Sequence, residues 1–322
     1  MRNARDKSTP TIAQPDAGAE PGDLKAPAVA SAAAQDRALS TRQLAWRRFK
    51  RHKLAMISAF VLGIIALAAI LAPFIARYNY HAIFTGPVTD PVSLKHWFGT
   101  DELGRDEFSR VLYGGRVSLL VGFSVAVSAG VIGTFIGSIA GFYGGWLDQI
   151  LMRVTDLFLA MPFLVILIIG SRVSIFQGVK GIVLLLSLFF WMPAARIVRG
   201  LFLSLKEKEF SEAARAMGAT NRRIIFYHIL PNTIGPIIVT STLNVAAAIL
   251  TESALSFLGF GVQPPTPSWG GLLEEARSLI QVDPGLTWFP GLAILVTVLC
   301  VNFLGDGLRD ALDPHQRIVG KE

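Results

Sequence analysis

Six apolar runs, each bounded by polar or charged residues, divide most of this chain: 54–76, 117–142, 154–170, 181–195, 234–257 and 287–304. A bilayer core about 30 Å thick takes about 20 helical residues, so the longer runs predict membrane-crossing helices and an all-α protein with six crossings. The third run contains Asp156 and Pro162, and Pro193 is expected to break the fourth near its end. Gly122, Gly130, Gly133, Gly137 and Gly141 recur along the second run, where small residues allow close helix contact. A short loop at 143–153 is expected to return the chain to the side it began on. Before the first run stands TRQLAWRRFKRHK, residues 41–53, whose Leu44, Trp46 and Phe49 suit an interface while the basic heads reach anionic lipid. Arg196, Arg199, Lys206 and Lys208 follow the fourth run. Basic residues gather on the cytoplasmic side, so this distribution predicts both termini there, including a tail from Gly305 onward.

A polar, basic island interrupts the apolar pattern at 212–232, EAARAMGATNRRIIFYHILPN. Ser211 can cap a short helix ending near Met217, with Glu212 at its positive end. Gly218 permits a left-handed turn, Thr220 can cap a second helix, and Pro231 is expected to stop it. The predicted shape is helix, glycine elbow, helix, with Ala213, Ala214 and Ala216 forming a small face open to a close approach by another protein.

Composition agrees: 52% of the residues are hydrophobic and 16% charged, with a mean hydropathy of +0.50. The net charge of +7 flanks apolar spans and does not form a soluble basic domain, which argues against nucleic acid as the partner. Residues 1–43, rich in Ala, Pro, Asp, Ser and Thr, read as a disordered cytoplasmic tail, and 44–322 as the membrane domain. Cys300 is the single cysteine and the five histidines are scattered, so neither a disulfide nor a metal site is expected. The sequence contains no GxxxxGK[ST], GxSxG, HExxH or CxxC pattern, and no catalytic residue is assigned.

Between the first two runs, HWFGTDELGRDEFSR carries Asp101, Glu102, Arg105, Asp106, Glu107 and Arg110. Asp106 and Arg110 stand at i,i+4 and can pair. No nucleophile accompanies these carboxylates, so a structural role at the membrane surface is expected over an active site. Charges within spans are functional candidates by default. Asp156 lies near a boundary and can reach water. Glu252 can line a polar path between helices, or accept hydrogen bonds from a neighbouring helix. Asn244 suits a helix-to-helix hydrogen bond ahead of a solute contact.

The pattern Glu212-Ala213-Ala214, Gly218, Ile224, His228, Leu230, Pro231 and Asn232 resembles the EAA loop of bacterial ABC importer permeases. FGTDELGRD at 98–106 resembles the signature of the C-type subunit of dipeptide and oligopeptide systems within the peptide and nickel branch. ALSFLGFGVQPPTPSWG and NFLGDGLRDALDP resemble the same family, so the likeness covers roughly 44–317. It implies a six-helix, type I importer fold in the bacterial inner membrane, with the coupling loop at about 200–232. It also implies a second permease subunit, two ATPase subunits that carry the ATP and magnesium, and an extracytoplasmic solute-binding protein, with no cofactor on this chain. Within that scheme Glu212, Ala213, Ala214 and Gly218 would meet the ATPase, and His228, Pro231 and Asn232 would fix the second helix. Glu252 and Asn244 are candidates for the translocation path. The alternative is a carrier driven by an ion gradient, which usually shows internal repeats.

Overall fold

The apolar runs form helices because a chain in lipid must satisfy its backbone polar groups within itself. A computed structural model describes residues 41–313, in which no strand is present. Chain contacts separate residues 1–44 from a unit of 45–322. Of the former, residues 41–44 are described, as the start of helix α1, Thr41–Arg51. The rest of the expected N-terminal tail and residues 314–322 lie outside the described residues. The first apolar run is α2, Lys53–Ile70, followed by a short α3, Ala72–Ile75. The second is α4, Glu107–Tyr143, and the third is split into α5, Gly145–Leu159, and α6, Phe163–Ser171. The fourth is α7, Gly178–Leu205, and α8, Glu209–Ala216, follows it. Helix α9, Asn221–Phe257, contains the fifth run. A short α10, Trp269–Ala276, precedes α11, Gly285–Leu312. Five helices are long and apolar enough to cross a membrane, and the bent pair α5–α6 makes a sixth candidate.

Several boundaries differ from those the apolar pattern predicts. Helix α4 begins ten residues before the apolar run because Asp106 caps it, accepting the Ser109 N–H at 2.9 Å. The expected loop at 143–153 is mostly α5, which starts straight after a turn at Gly144. The third run is bent by 82° between α5 and α6, where Pro162 stands before the first residue of α6. Pro193 does not break α7: its ring is exposed, while Ala194 and Ala195 beside it hold the helix against α4. Residues 305–312, expected as tail, are the last two turns of α11, and Gly307 lies against Ala55 and Phe49. Arg48 donates to the Asp313 carbonyl at 2.8 Å, holding α1 to the end of α11.

The core lies between α4, α7 and α9. Val121, Val125 and Ala129 of α4 meet Leu185, Leu186, Phe189 and Met192 of α7, with Ala248 and Leu255 of α9 closing the cluster. The α4–α7 seam is a near backbone-to-backbone contact. A Cβ on Gly137 would collide with the Ala195 carbonyl oxygen, and one on Gly133 would lie 2.7 Å from that of Trp191. The GxxxG pair is therefore spent on a neighbour in the same chain.

Candidate functional site: the loop between α7 and α9

Helix α8 carries Glu209 and Glu212 in its first turn, at the positive end of the helix dipole. Ser211 is not its cap. Lys208 occupies that position, and the Ser211 hydroxyl donates backward to the Leu205 carbonyl at 2.8 Å, tying α8 to the end of α7. The helix ends as expected at Gly218, with φ +83°. Ala219 N–H donates to Ala214 O and Gly218 N–H to Arg215 O, both at 3.0 Å, a Schellman closure that a side chain at Gly218 would strain. Thr220 accepts the Arg223 N–H at 3.4 Å and opens the next helix.

That helix is not stopped by Pro231. It runs through a π-helical stretch, Ile224–Ile229, directly into Leu230–Phe257. In a regular helix the Pro231 ring would crowd the preceding turn. The wider π turn relieves this, with Leu230 N–H reaching Ile225 O, and the Asn232 side chain donates to the His228 carbonyl at 2.6 Å where the register changes.

The loop has one face turned into the protein. Ala214, Ile224, Ile225 and Ile229 pack with Phe142 at the end of α4 and with Val198 and Phe202 of α7. The expected alanine face is thus divided: Ala214 is buried here, while Ala213 and Ala216 are exposed. Glu212, Arg215, Met217 and Gly218 are exposed beside them. Among the described residues no side chain engages Glu212. Further along, Arg222, Arg223, Phe226, Tyr227 and the half-buried His228 line an open concavity. Two ion pairs brace the same end: Arg199 holds both oxygens of Asp148 at 2.5 and 2.6 Å, and Arg196 pairs with the half-exposed Asp156.

The opposite end holds polar residues whose depth the sequence did not reveal. The charged stretch at 101–110 is largely buried, with Glu102 and Leu103 left exposed. Arg110, 2% exposed, donates to Asp101 at 2.6 Å and to both oxygens of Glu275 at 2.6 and 2.9 Å. Arg105 adds 2.6 Å contacts to the same two carboxylates. Asp106 does not pair with Arg110; it meets His96 Nδ1 at 2.8 Å. Glu252, expected either to line a path or to accept hydrogen bonds from a neighbouring helix, is 0% exposed and enclosed by its own chain. It accepts from Ser118 of α4 at 3.0 Å and from Ser256 at 2.7 Å. Ser118 accepts the Trp269 N–H at 3.2 Å, so the group joins α4, α9 and the start of α10. The hydrogen-bonding alternative for Glu252 is the one present here. Asn244 does not make the expected interhelical bond through its amide nitrogen, which is enclosed without a partner.

Helices long and apolar enough to cross a bilayer, with a two-helix loop packed against the ends of two of them, define a multi-pass membrane protein. Residues 133–318 match the model of the binding-protein-dependent transport system inner membrane component family, and 40–91 match the N-terminal TM domain of oligopeptide transport permease C. A dipeptide transport system permease, DppC, of Alkalihalophilus pseudofirmus is 41% identical over 87% of this chain and 92% of its own. An oligopeptide permease, OppC, of Mycobacterium tuberculosis is 42% identical over 86% of this chain and 96% of its own. A glutathione permease, GsiD, of Escherichia coli is 43% identical over 84% and 89%. A chain of the inward-facing MetNI methionine ABC transporter shares the fold, with a TM-score of 0.51 and 19% identity over 63% of this chain and 96% of that one. The chain belongs to the family of binding-protein-dependent transport system inner membrane components, as a multi-pass ABC importer permease of the inner membrane. This membership replaces the alternative of an ion-gradient carrier.

Proposed function

We propose that this chain is the C-type permease subunit of an ATP-driven importer of dipeptides or oligopeptides. The names of the relatives support the solute class. In this reading the chain crosses the membrane six times, α5–α6 counting as one crossing, with both termini in the cytoplasm. A second permease completes the path, a binding protein delivers the solute, and two ATPase subunits bind ATP and magnesium. This chain carries no cofactor and no catalytic group.

The observation that carries the mechanism is the two-faced loop. Its apolar face is packed on α4 and α7, so force applied to α8 reaches both spans without passing through a flexible link. The other face offers Glu212, Ala213, Ala216 and Gly218 to a groove on an ATPase subunit, a helix-in-groove contact. Glu212 supplies a charged contact, Ala213 and Ala216 permit close approach, and buried Ala214 anchors the helix from behind. His228, Pro231 and Asn232 hold the π turn through which α9 inherits the motion. Closure of the ATPases on ATP then rocks the spans as rigid bodies between inward- and outward-facing states.

The test is reconstitution with the partner subunits and the loaded binding protein, scored as uptake of labelled dipeptide and as ATP hydrolysis. Glu212→Ala removes a charge-assisted hydrogen bond worth about 1.5–3 kcal/mol, so uptake should fall about tenfold or more. Gly218→Val should act in the same direction by straining the elbow. In both, the amount of folded permease in the membrane should be unchanged. Wild-type rates in both variants would refute the coupling role.

A further inference from the structure

Helices α7 and α9 both run away from the coupling loop, and their far ends meet around a cleft of about 220 Å³. Its walls include Ser171, Arg172, Phe176 and Gln177 before α7, and Phe260 and Gln263 after α9. Most of its polar groups are already engaged within the chain. The Ser171 hydroxyl donates to the Ile168 carbonyl at 2.8 Å. The Gln263 amide donates to the carbonyls of Gly259 and Gly261, both at 3.2 Å.

Arg172 differs. Its guanidinium lies over the Phe260 ring, 4.7 Å from the centroid. That contact positions the cation but leaves its charge uncompensated, because an aromatic face accepts no proton and carries no net charge. Among the described residues no carboxylate pairs with Arg172. Arg105 and Arg110 are neutralised by Asp101 and Glu275, Arg196 by Asp156, and Arg199 by Asp148, whereas Arg77 over Trp97 and Arg277 over Phe257 resemble Arg172 but do not line this cleft. An exposed guanidinium resting beside an aromatic face at the mouth of a cleft keeps donors free for an incoming planar anion, and a carboxylate fits such a fork.

From this geometry we infer that the cleft at Arg172 receives a carboxylate of the transported solute as it enters from the side opposite the ATPases. The inference rests on the peptide-importer reading, since an unmodified linear peptide carries a carboxylate at its C-terminus. Arg172 is then a specificity-determining contact: it selects solutes with a free acid over the same solutes with that acid blocked.

The experiment has two arms, both on the reconstituted complex. In the first, uptake of alanyl-alanine and of its C-terminal amide is compared at equal occupancy of the binding protein. The wild-type preference for the free acid should fall about tenfold in Arg172→Gln, the loss of one charge-assisted contact, and less in Arg172→Lys. An unchanged preference in Arg172→Gln overturns the inference. An equal loss for both solutes, restored by excess binding protein, also overturns it, because the carboxylate met by Arg172 would then belong to that protein. In the second arm, phenylglyoxal modification of Arg172 is followed by mass spectrometry. N-acetylalanine should slow it and N-acetylalanine amide should not; equal effects overturn the inference. This arm does not depend on transport. Protection without uptake of either dipeptide would therefore fault the peptide reading and leave the carboxylate site standing.

Discussion

At the scale of single residues, the ion cluster around Arg110 shows how spacing misleads. Asp106 and Arg110 stand at helical i,i+4, yet Asp106 is used as a cap and as the partner of His96, and Arg110 reaches Glu275, 165 positions away. No local pattern encodes that second partner. Arg110→Met would leave Asp101 and Glu275 with Arg105 as their one shared cation, in a site where Arg110 was almost wholly buried. Removing one member of a buried ion cluster costs about 3–5 kcal/mol. A clear drop in the melting temperature of the purified subunit is expected, and adding Glu275→Gln to the same chain should recover part of it. Glu252 teaches a similar lesson. A carboxylate within an apolar run is legible as costly, and Ser256 lies at i,i+4 on the same helix, but only the fold brings Ser118 to it.

At the scale of elements, glycines separate into those that meet another helix and those that do not. Gly137 of α4 faces the Ala195 carbonyl, a backbone atom that cannot rotate away, so even Gly137→Ala requires α4 and α7 to move apart. Overpacking of this kind costs about 1–3 kcal/mol. A methyl group added at Gly63 of α2 would meet nothing within 4 Å. Gly63→Ala should therefore be neutral or slightly stabilising, since alanine is the better helix former. Thermal unfolding in detergent of the two variants should move in opposite directions or differ by several degrees. An equal response would mean that the α4–α7 seam is looser than its geometry. The recurrence of small residues was visible in the sequence; that the partner is α7 was not. Prolines show the same division. Pro162 lies at a bend, whereas Pro193 and Pro231 are absorbed, one by exposure of its ring and the other by a π turn.

At the scale of the molecule, α7 sets the two functional ends apart. Exposed Glu207 lies just past its last residue, and exposed Ile175 just before its first. The only native cysteine, Cys300, is buried, so introduced cysteines report cleanly. Ile175→Cys should react with a membrane-impermeant maleimide in right-side-out spheroplasts, and Glu207→Cys only in inside-out vesicles. Reaction of both from one side would exclude the proposed six-crossing arrangement. In the proposed reading the loop near Glu207 moves the spans, while the far cleft with Arg172 meets what is moved.

The sequence by itself determined the class of fold, because apolar length and the placing of basic residues follow from the bilayer. It also determined the glycine elbow at Gly218, since a left-handed turn selects its residue locally. Tertiary structure alone decided which face of the loop is buried, where Pro231 leads, that Glu252 is enclosed by hydroxyls, and that Arg172 keeps an uncompensated charge. Apart from the local π turn at Pro231, these depend on partners tens to hundreds of positions away, and hydrophobic periodicity carries no record of which distant side chain will arrive.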